Sequence, residues 1–240
     1  MRTRMIFSIV GVLACVVSPG YAGFYDSVTE MIARPSEEGP GDSTLISGLK
    51  EALSIGTEDA VKSVSKVDGY LGNQAIKILL PEKIQKAGDI LSNLGYEDKV
   101  DAFILSMNRA AEKAAPQAVS FFVDAIKEMT FEDAKGILNG GDTAATEFFE
   151  SKTRDKLYDA FKPAVSSSMD EVRVTQAYKE MMGKYTSAVP FARTESLDLD
   201  HYVTTKALDG LFYMVGQEEK KIRTDPAARV TDLLKETFQN

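Results

Sequence analysis

From Thr44 onward the apolar positions recur every three or four residues, beginning with Leu45, Leu49, Ala52, Leu53, Ala60, Val61 and Val64. That spacing lines one face of an α-helix. Gly48 and Gly56 interrupt the face, and each either weakens the helix or lets a neighbour approach closely. The segment DGYLGNQAIKILL, residues 68–80, breaks the pattern, because Gly69, Gly72 and Asn73 disrupt a helix and IKILL favours an extended run. Pro81 then predicts a helix start through its fixed φ, carried by Ile84, Leu91 and Leu94 and stopped at Gly95. Val100, Phe103, Ile104, Met107, Ala110 and Ala114 form the next stripe, and beyond Pro116 so do Val119, Phe122, Ile126 and Met129.

Thr130 and Asp133 fit a capping box opening FEDAKGIL. Further helices are predicted over about 143–162, 163–185, 199–223 and 226–238, the last announced by an N-cap acid and first-turn proline at Asp225-Pro226. Ahead of all these, FYDSVTEMIA (24–33) makes a short amphipathic helix and RPSEEGPGD (34–42) a linker. The expected fold class is all-α: one compact domain over 43–240 of about nine or ten helices, with one short non-helical segment near 68–80. Short loops imply antiparallel neighbours.

One stretch resembles chemistry at first sight. ILNGGDTAATEFFE, residues 137–150, runs paired glycines into a helix start, as phosphate-binding loops do. Such a loop needs a cation beside the glycines, and here Asp142 follows them. The expectation is punctuation: Gly140 or Gly141 ends one helix in the left-handed conformation, and Asp142 caps the next.

The N-terminus adds compartment to the picture. Arg2 and Arg4 precede an apolar run from Ile6 to Val17, then Ser18-Pro19-Gly20 and Tyr21-Ala22, the layout of a secretory signal over 1–22 cleaved after Ala22. The run falls short of the roughly 20 residues that span a bilayer. Val12-Leu13-Ala14-Cys15 also fits a bacterial lipoprotein box, which would instead make a lipidated Cys15 the first residue. Export predicts a periplasmic protein. Loss of 1–22 leaves 26 basic against 36 acidic side chains, a net charge of −10. Such a surface repels nucleic acid, whose binding rests on phosphate neutralisation. Cys15 is the sole cysteine, so no intrachain disulfide staples the fold.

Candidate chemistry is sparse. His201, the only histidine, stands in DLDHY with Asp198, Asp200 and, further along, Asp209 as acidic neighbours. A zinc site there would need three or four ligands and would have to draw the rest from carboxylates. The plainer expectation is that Asp198 caps a helix and His201 is partly exposed. A triad recruiting Ser166, Ser167 or Ser168 lacks the strand-to-helix elbow that exposes a nucleophilic serine. In QEEKKIRTDPAAR (217–229), Glu218 pairs with Lys221 and Glu219 with Arg223 at helical spacing, predicting a solvated, self-paired face. The rival is an anion receptor made by Arg223 and Arg229. Large apolar neighbours at Phe121-Phe122, Phe148-Phe149, Met181-Met182 and Phe212-Tyr213-Met214 cover more than one helix face. Central helices do this, and so do helices lining a groove for a lipid, peptide or partner helix, a role methionine suits.

The blocks GLKEALSIGTEDAV, GYLGNQAIKILLPE, NRAAEKAAPQA, FEDAKGILNGGDTAATEFF and DLDHYVTTKALDGLFYMVGQEEKKIRTDPAARVTDLLKETF resemble the bacterial exported family catalogued as domain of unknown function 4197. The similarity runs from about Leu45 to Phe238. It implies a Gram-negative envelope protein with a single helical domain, and it implies no reaction and no site residues.

Together these features point to a non-enzymatic exported module for an apolar ligand or an envelope partner, needing no cofactor. Phe121, Phe122, Phe148, Met181, Met182, Phe212, Met214, Arg223 and Arg229 are its candidate contacts. Two alternatives stand beside it: a carboxylate- or metal-dependent enzyme centred on Asp198, Asp200 and His201, and a membrane-tethered lipoprotein with a structural role.

Overall fold

The computed structural model describes residues 40–192 and 197–225, and every regular element among them is helical. Helix α1 spans Pro40–Ser65, α2 Glu82–Asn93 and α3 Glu97–Ala114; a 3-10 turn, Ala115–Gln117, leads into α4, Ala118–Glu128. Then follow α5 (Phe131–Leu138), α6 (Ala144–Glu171), α7 (Val174–Ala188) and α8 (Leu199–Thr224).

Two prolines act differently from the sequence expectation. Ala114, Ala115, Gln117 and Ala118 all keep right-handed helical angles, so Pro116 tightens one turn without parting α3 from α4. A 3-10 turn bonds to the residue three back, as Ala118 N–H does to the Ala115 carbonyl. Counted this way the described residues hold seven helical runs, fewer than the nine or ten expected. The helices expected over 24–33 and 226–238 lie outside the described residues, as does the linker apart from its end, where α1 already begins at Pro40. Pro163 does not start a helix either; it sits inside α6. It lies on the exposed face, and so does Asp159, whose carbonyl it leaves without the usual intrahelical donor, so water can take that place. The break falls instead at Arg173, which adopts the left-handed conformation (φ 58°, ψ 41°) between α6 and α7.

Other local signals are realised. Thr130 and Asp133 form the reciprocal capping box of α5, with Asp133 N–H donating to Thr130 Oγ1 and Thr130 N–H to Asp133 Oδ2, both at 3.1 Å. Gly95 takes φ 82° just beyond α2, though Leu94, expected on the apolar face, is largely exposed.

The core forms where α4, α6 and α8 meet. Phe122 packs edge-on against Phe149 and Phe212, with ring centroids 5.4 and 6.1 Å apart. Helix α8 also packs along α1, and α3 against α6 and α7. The expected stripes face inward: Leu49, Leu53, Val61 and Val64 of α1 and Val100, Phe103, Met107 and Ala110 of α3 are all buried.

The non-helical segment near 68–80 is held by α3 rather than by a strand. Asn108, fully buried, accepts the Ile78 N–H at 2.9 Å and donates to the Ile78 carbonyl at 2.8 Å, mimicking a neighbouring strand's amide. Glu112, also buried, accepts the Tyr70 N–H at 3.1 Å and is charge-paired with Arg109, which reaches on to Asp68. Tyr70 is wholly buried and donates its hydroxyl to the Ala207 carbonyl at 2.6 Å. Its phenol is driven well above the usual tyrosine range by burial and then by the nearby charges of Glu112 and Asp209. The loop fits against α8 because position 210 is glycine: a Cβ there would lie 2.7 Å from Tyr70 Cε1 and 3.1 Å from Ile76 Cβ.

Candidate functional site

Docking the 68–80 segment against α8 leaves a cleft. It occupies about 870 Å³ between residues 75–83 and the N-terminal half of α8. That volume falls within the roughly 300–1,000 Å³ typical of small-ligand sites. One wall is the loop, whose exposure alternates: Ile76 and Ile78 are buried, Lys77 is half-buried and Leu79 exposed. Alternation of this kind marks an extended segment showing one face to a core and the other outward. Lys77 and Leu79 thus lie side by side on the cleft face. The other wall is α8, where Tyr202, Lys206, Asp209 and Tyr213 recur at three or four residues and so share one helix face.

The register between the walls follows from two contacts. Ile76 lies opposite Gly210, and the Leu79 carbonyl accepts the Tyr202 hydroxyl at 3.0 Å. The loop therefore runs antiparallel to α8, with Lys77 near the level of Lys206 and Asp209. Half-burial, and then the neighbouring Glu82 charge, raise the Tyr202 phenol above its ordinary range, so it stays a neutral donor.

The acidic group expected around His201 divides its tasks. Asp198 caps α8, accepting the His201 N–H at 2.9 Å. His201 is exposed and its Nδ1 lies 2.6 Å from the Tyr158 hydroxyl of α6. Asp209 is hydrogen-bonded to Arg154, which also holds Glu150, and lies 3.6 Å from Lys206 Nζ. Asp198, His201 and Asp209 do line one cleft, and Asp200 is not among its lining residues. No cluster of three or more metal-ligating side chains occurs among the described residues. Ser166, Ser167 and Ser168 lie within α6.

The glycine-rich stretch is corrected in two ways. Gly140 and Gly141 have no positive φ, so neither ends α5 in the left-handed conformation. Asp142 does not cap α6; it is exposed, 4.0 Å from Lys220. The cap comes from Glu219 of α8, whose carboxylate accepts the N–H groups of Ala145 and Thr146 at 2.9 and 2.8 Å and the Thr146 hydroxyl at 2.8 Å. A carboxylate thus occupies the place a bound phosphate would take, in keeping with the partial positive charge of a helix N-terminus. The expected Glu219–Arg223 pair exists, with 2.8 Å between Oε1 and Nη2, but it is largely buried rather than part of a solvated face. Arg223 also donates to the Ile137 carbonyl at 2.8 Å, so it joins α8 to α5. The Glu218–Lys221 pair is present at 3.3 Å.

The apolar candidates are mostly inside. Phe122, Met181, Met182 and Phe212 belong to the packed core, while Phe121, Phe148 and Met214 are partly covered at its edge. Met214 Sδ accepts a hydrogen bond from Asn73 Nδ2 at 3.4 Å, another tie between loop and α8. Arg229 lies outside the described residues. An apolar void between α1, α6 and α8, bordered by Leu49, Gly56, Phe149 and Ile222, measures only about 20 Å³, room for about one water.

The helical content agrees with the family likeness drawn from the sequence blocks. The family model described as "Protein of unknown function (DUF4197)" matches residues 39–239. The chain belongs to that family. No curated protein and no solved structure matches it. Within this DUF4197 domain, sequence reasoning passed over Asn108, Glu112, Tyr70, Lys77 and Lys206. A buried asparagine or glutamate inside an apolar helix stripe is a local signal, since such a group is retained only with partners; the cleft pair carries no such signal. No described helix is long and apolar enough to cross a membrane.

Proposed function

We propose that this DUF4197 protein is an exported, non-enzymatic binding module of the bacterial envelope, and that its working surface is the cleft between residues 75–83 and α8. The contrast between core and cleft carries this reading: the void between α1, α6 and α8 holds about one water, whereas the cleft offers some 870 Å³, against about 380 Å³ for the hollow beside Met169, Arg173 and Lys179, and is edged by the exposed side chains of Leu79 and Tyr213. Large exposed apolar groups at the lip of a concavity are what recognition surfaces provide. Against catalysis, Asp198 is spent on a helix cap and Asp209 on Arg154. Neither carboxylate is set up as a free acid or base.

Export is the second part of the proposal, with the signal ending at Ala22. Intact mass of protein recovered from the periplasm is expected to begin at Gly23; an acylated chain beginning at Cys15 would support the tethered alternative instead. The binding role is tested by placing a photoactivatable phenylalanine analogue at position 79 or 213 and, as control, at exposed position 183. Cross-linked adducts from 79 and 213 and none from 183 are expected. Equal labelling at all three, or none, removes the cleft as the working surface.

A further inference from the structure

The extended stretch around Ile78 uses one edge of its main chain and leaves the other open. On the α3 side, Asn108 accepts the Ile78 N–H and donates to the Ile78 carbonyl. Both flanking peptide bonds are trans, and a trans peptide plane points each carbonyl opposite to the N–H of the next residue. The Lys77 carbonyl and the Leu79 N–H therefore point directly away from Asn108. Neither has a partner among the described residues. Their companions are engaged: the Lys77 N–H donates to the Asn73 carbonyl at 2.9 Å, and the Leu79 carbonyl accepts the Tyr202 hydroxyl of α8. Lys77, Leu79 and Tyr202 all line the cleft, so the open edge gives onto it, with α8 held off by the length of the Tyr202 side chain.

An edge with an unused acceptor and an unused donor two residues apart is what an added strand pairs with. In parallel pairing a single residue donates its N–H to the first group and accepts from the second. Antiparallel pairing would instead need both groups of Lys77 or both of Leu79, and one of each is taken. We infer that the cleft takes an extended peptide segment of another protein, laid parallel to residues 77–79 and antiparallel to α8. This rests on the reading of the cleft as the working surface and names the class of partner. The lining agrees with recognition through neutral main-chain groups, because Lys77, Lys83 and Lys206 are matched by Glu82, Asp198 and Asp209. Leu79 and Tyr213, on opposite sides of the Lys77 level, offer apolar contact at two points along a strand.

Amide NMR of the isotope-labelled chain, titrated with a capped heptapeptide of alternating threonine and valine, tests it. The peptide is uncharged and suits an extended backbone; it is expected to shift the Leu79 amide saturably at millimolar concentration. The same peptide N-methylated at every residue keeps its side chains but loses its donors, and is expected to bind at least tenfold more weakly. A nitroxide on the peptide N-terminus should broaden the amides of Ala75 and Tyr213, and one on its C-terminus those of Glu82 and Tyr202. Leu79→Pro, which removes the N–H, is expected to weaken binding at least tenfold, and Leu79→Ala, which keeps it, far less. If Leu79→Pro unfolds the protein, the methylated and nitroxide peptides still decide. No shift at Leu79, affinity indifferent to methylation, or reversed peptide ends overturns the inference. Cross-links from positions 79 and 213 without peptide binding would overturn this partner class while leaving the cleft in use; loss of both removes both.

Discussion

Replacing Gly210 by alanine sets helix propensity against packing. Inside α8 the substitution gains about 1 kcal/mol of propensity. The same methyl would sit 2.7 Å from Tyr70 Cε1 and 3.1 Å from Ile76 Cβ. The tyrosine cannot swing aside, since its hydroxyl is bonded to the Ala207 carbonyl and its own N–H to Glu112. Overpacking a fixed site costs about 1–3 kcal/mol, and a lost Tyr70–Ala207 hydrogen bond about 1 kcal/mol more. The balance is a destabilisation of about 1–3 kcal/mol. Gly183→Ala is the control, because position 183 is exposed within α7 and a Cβ there meets nothing within 4 Å. Only the propensity gain of about 1 kcal/mol remains. In a domain of this size 1 kcal/mol moves the midpoint by about 2–4 °C, so thermal melts by circular dichroism should separate the variants clearly, Gly183→Ala rising and Gly210→Ala falling. If both rise alike, Tyr70 is not clamped against α8, and neither the loop docking nor the cleft it creates stands.

Three further outcomes follow from the same contacts. Glu219→Ala removes the cap of α6 and the carboxylate partner of the largely covered Arg223, and should cost about 3–5 kcal/mol in urea denaturation, with Glu219→Gln costing less because one acceptor oxygen remains. At Arg173 (φ 58°), glycine is expected to add up to about 1 kcal/mol and valine to remove about 1–2 kcal/mol, since a left-handed residue costs about that much unless it is glycine; equal melts for the two would place the strain elsewhere. The Asp133 carboxyl is held below its ordinary range by the Thr130 backbone N–H and then the Thr130 hydroxyl. Its folded value is depressed, so its contribution to α5 is complete above the unfolded value near pH 4 and fades as pH falls through the folded value. Carboxyl NMR titration should show that depression, and Asp133→Asn should abolish this part of the acid dependence of melting.

Local physics settled much of this protein in advance. Apolar spacing alone located most of the described helices, and the capping box at Thr130, the Asp198 cap and the Gly95 stop were legible because each acts within four residues of chain. What resisted reading depends on partners far along the sequence. Pro163 looked like a helix start because a proline's missing N–H favours the first turn; inside α6 it is tolerated because packing turned that face to solvent. The α6 N-terminus was assigned to Asp142, its neighbour, but tertiary packing brought Glu219, 73 residues away from Thr146, to the same N–H groups. The pairing of Lys77 with the level of Lys206, and so the cleft itself, exists only because Gly210 admits Tyr70. Periodicity tells which face of a helix is buried, since that follows from the chain's own geometry. Which distant carboxylate meets which amide is decided by how the faces are laid together.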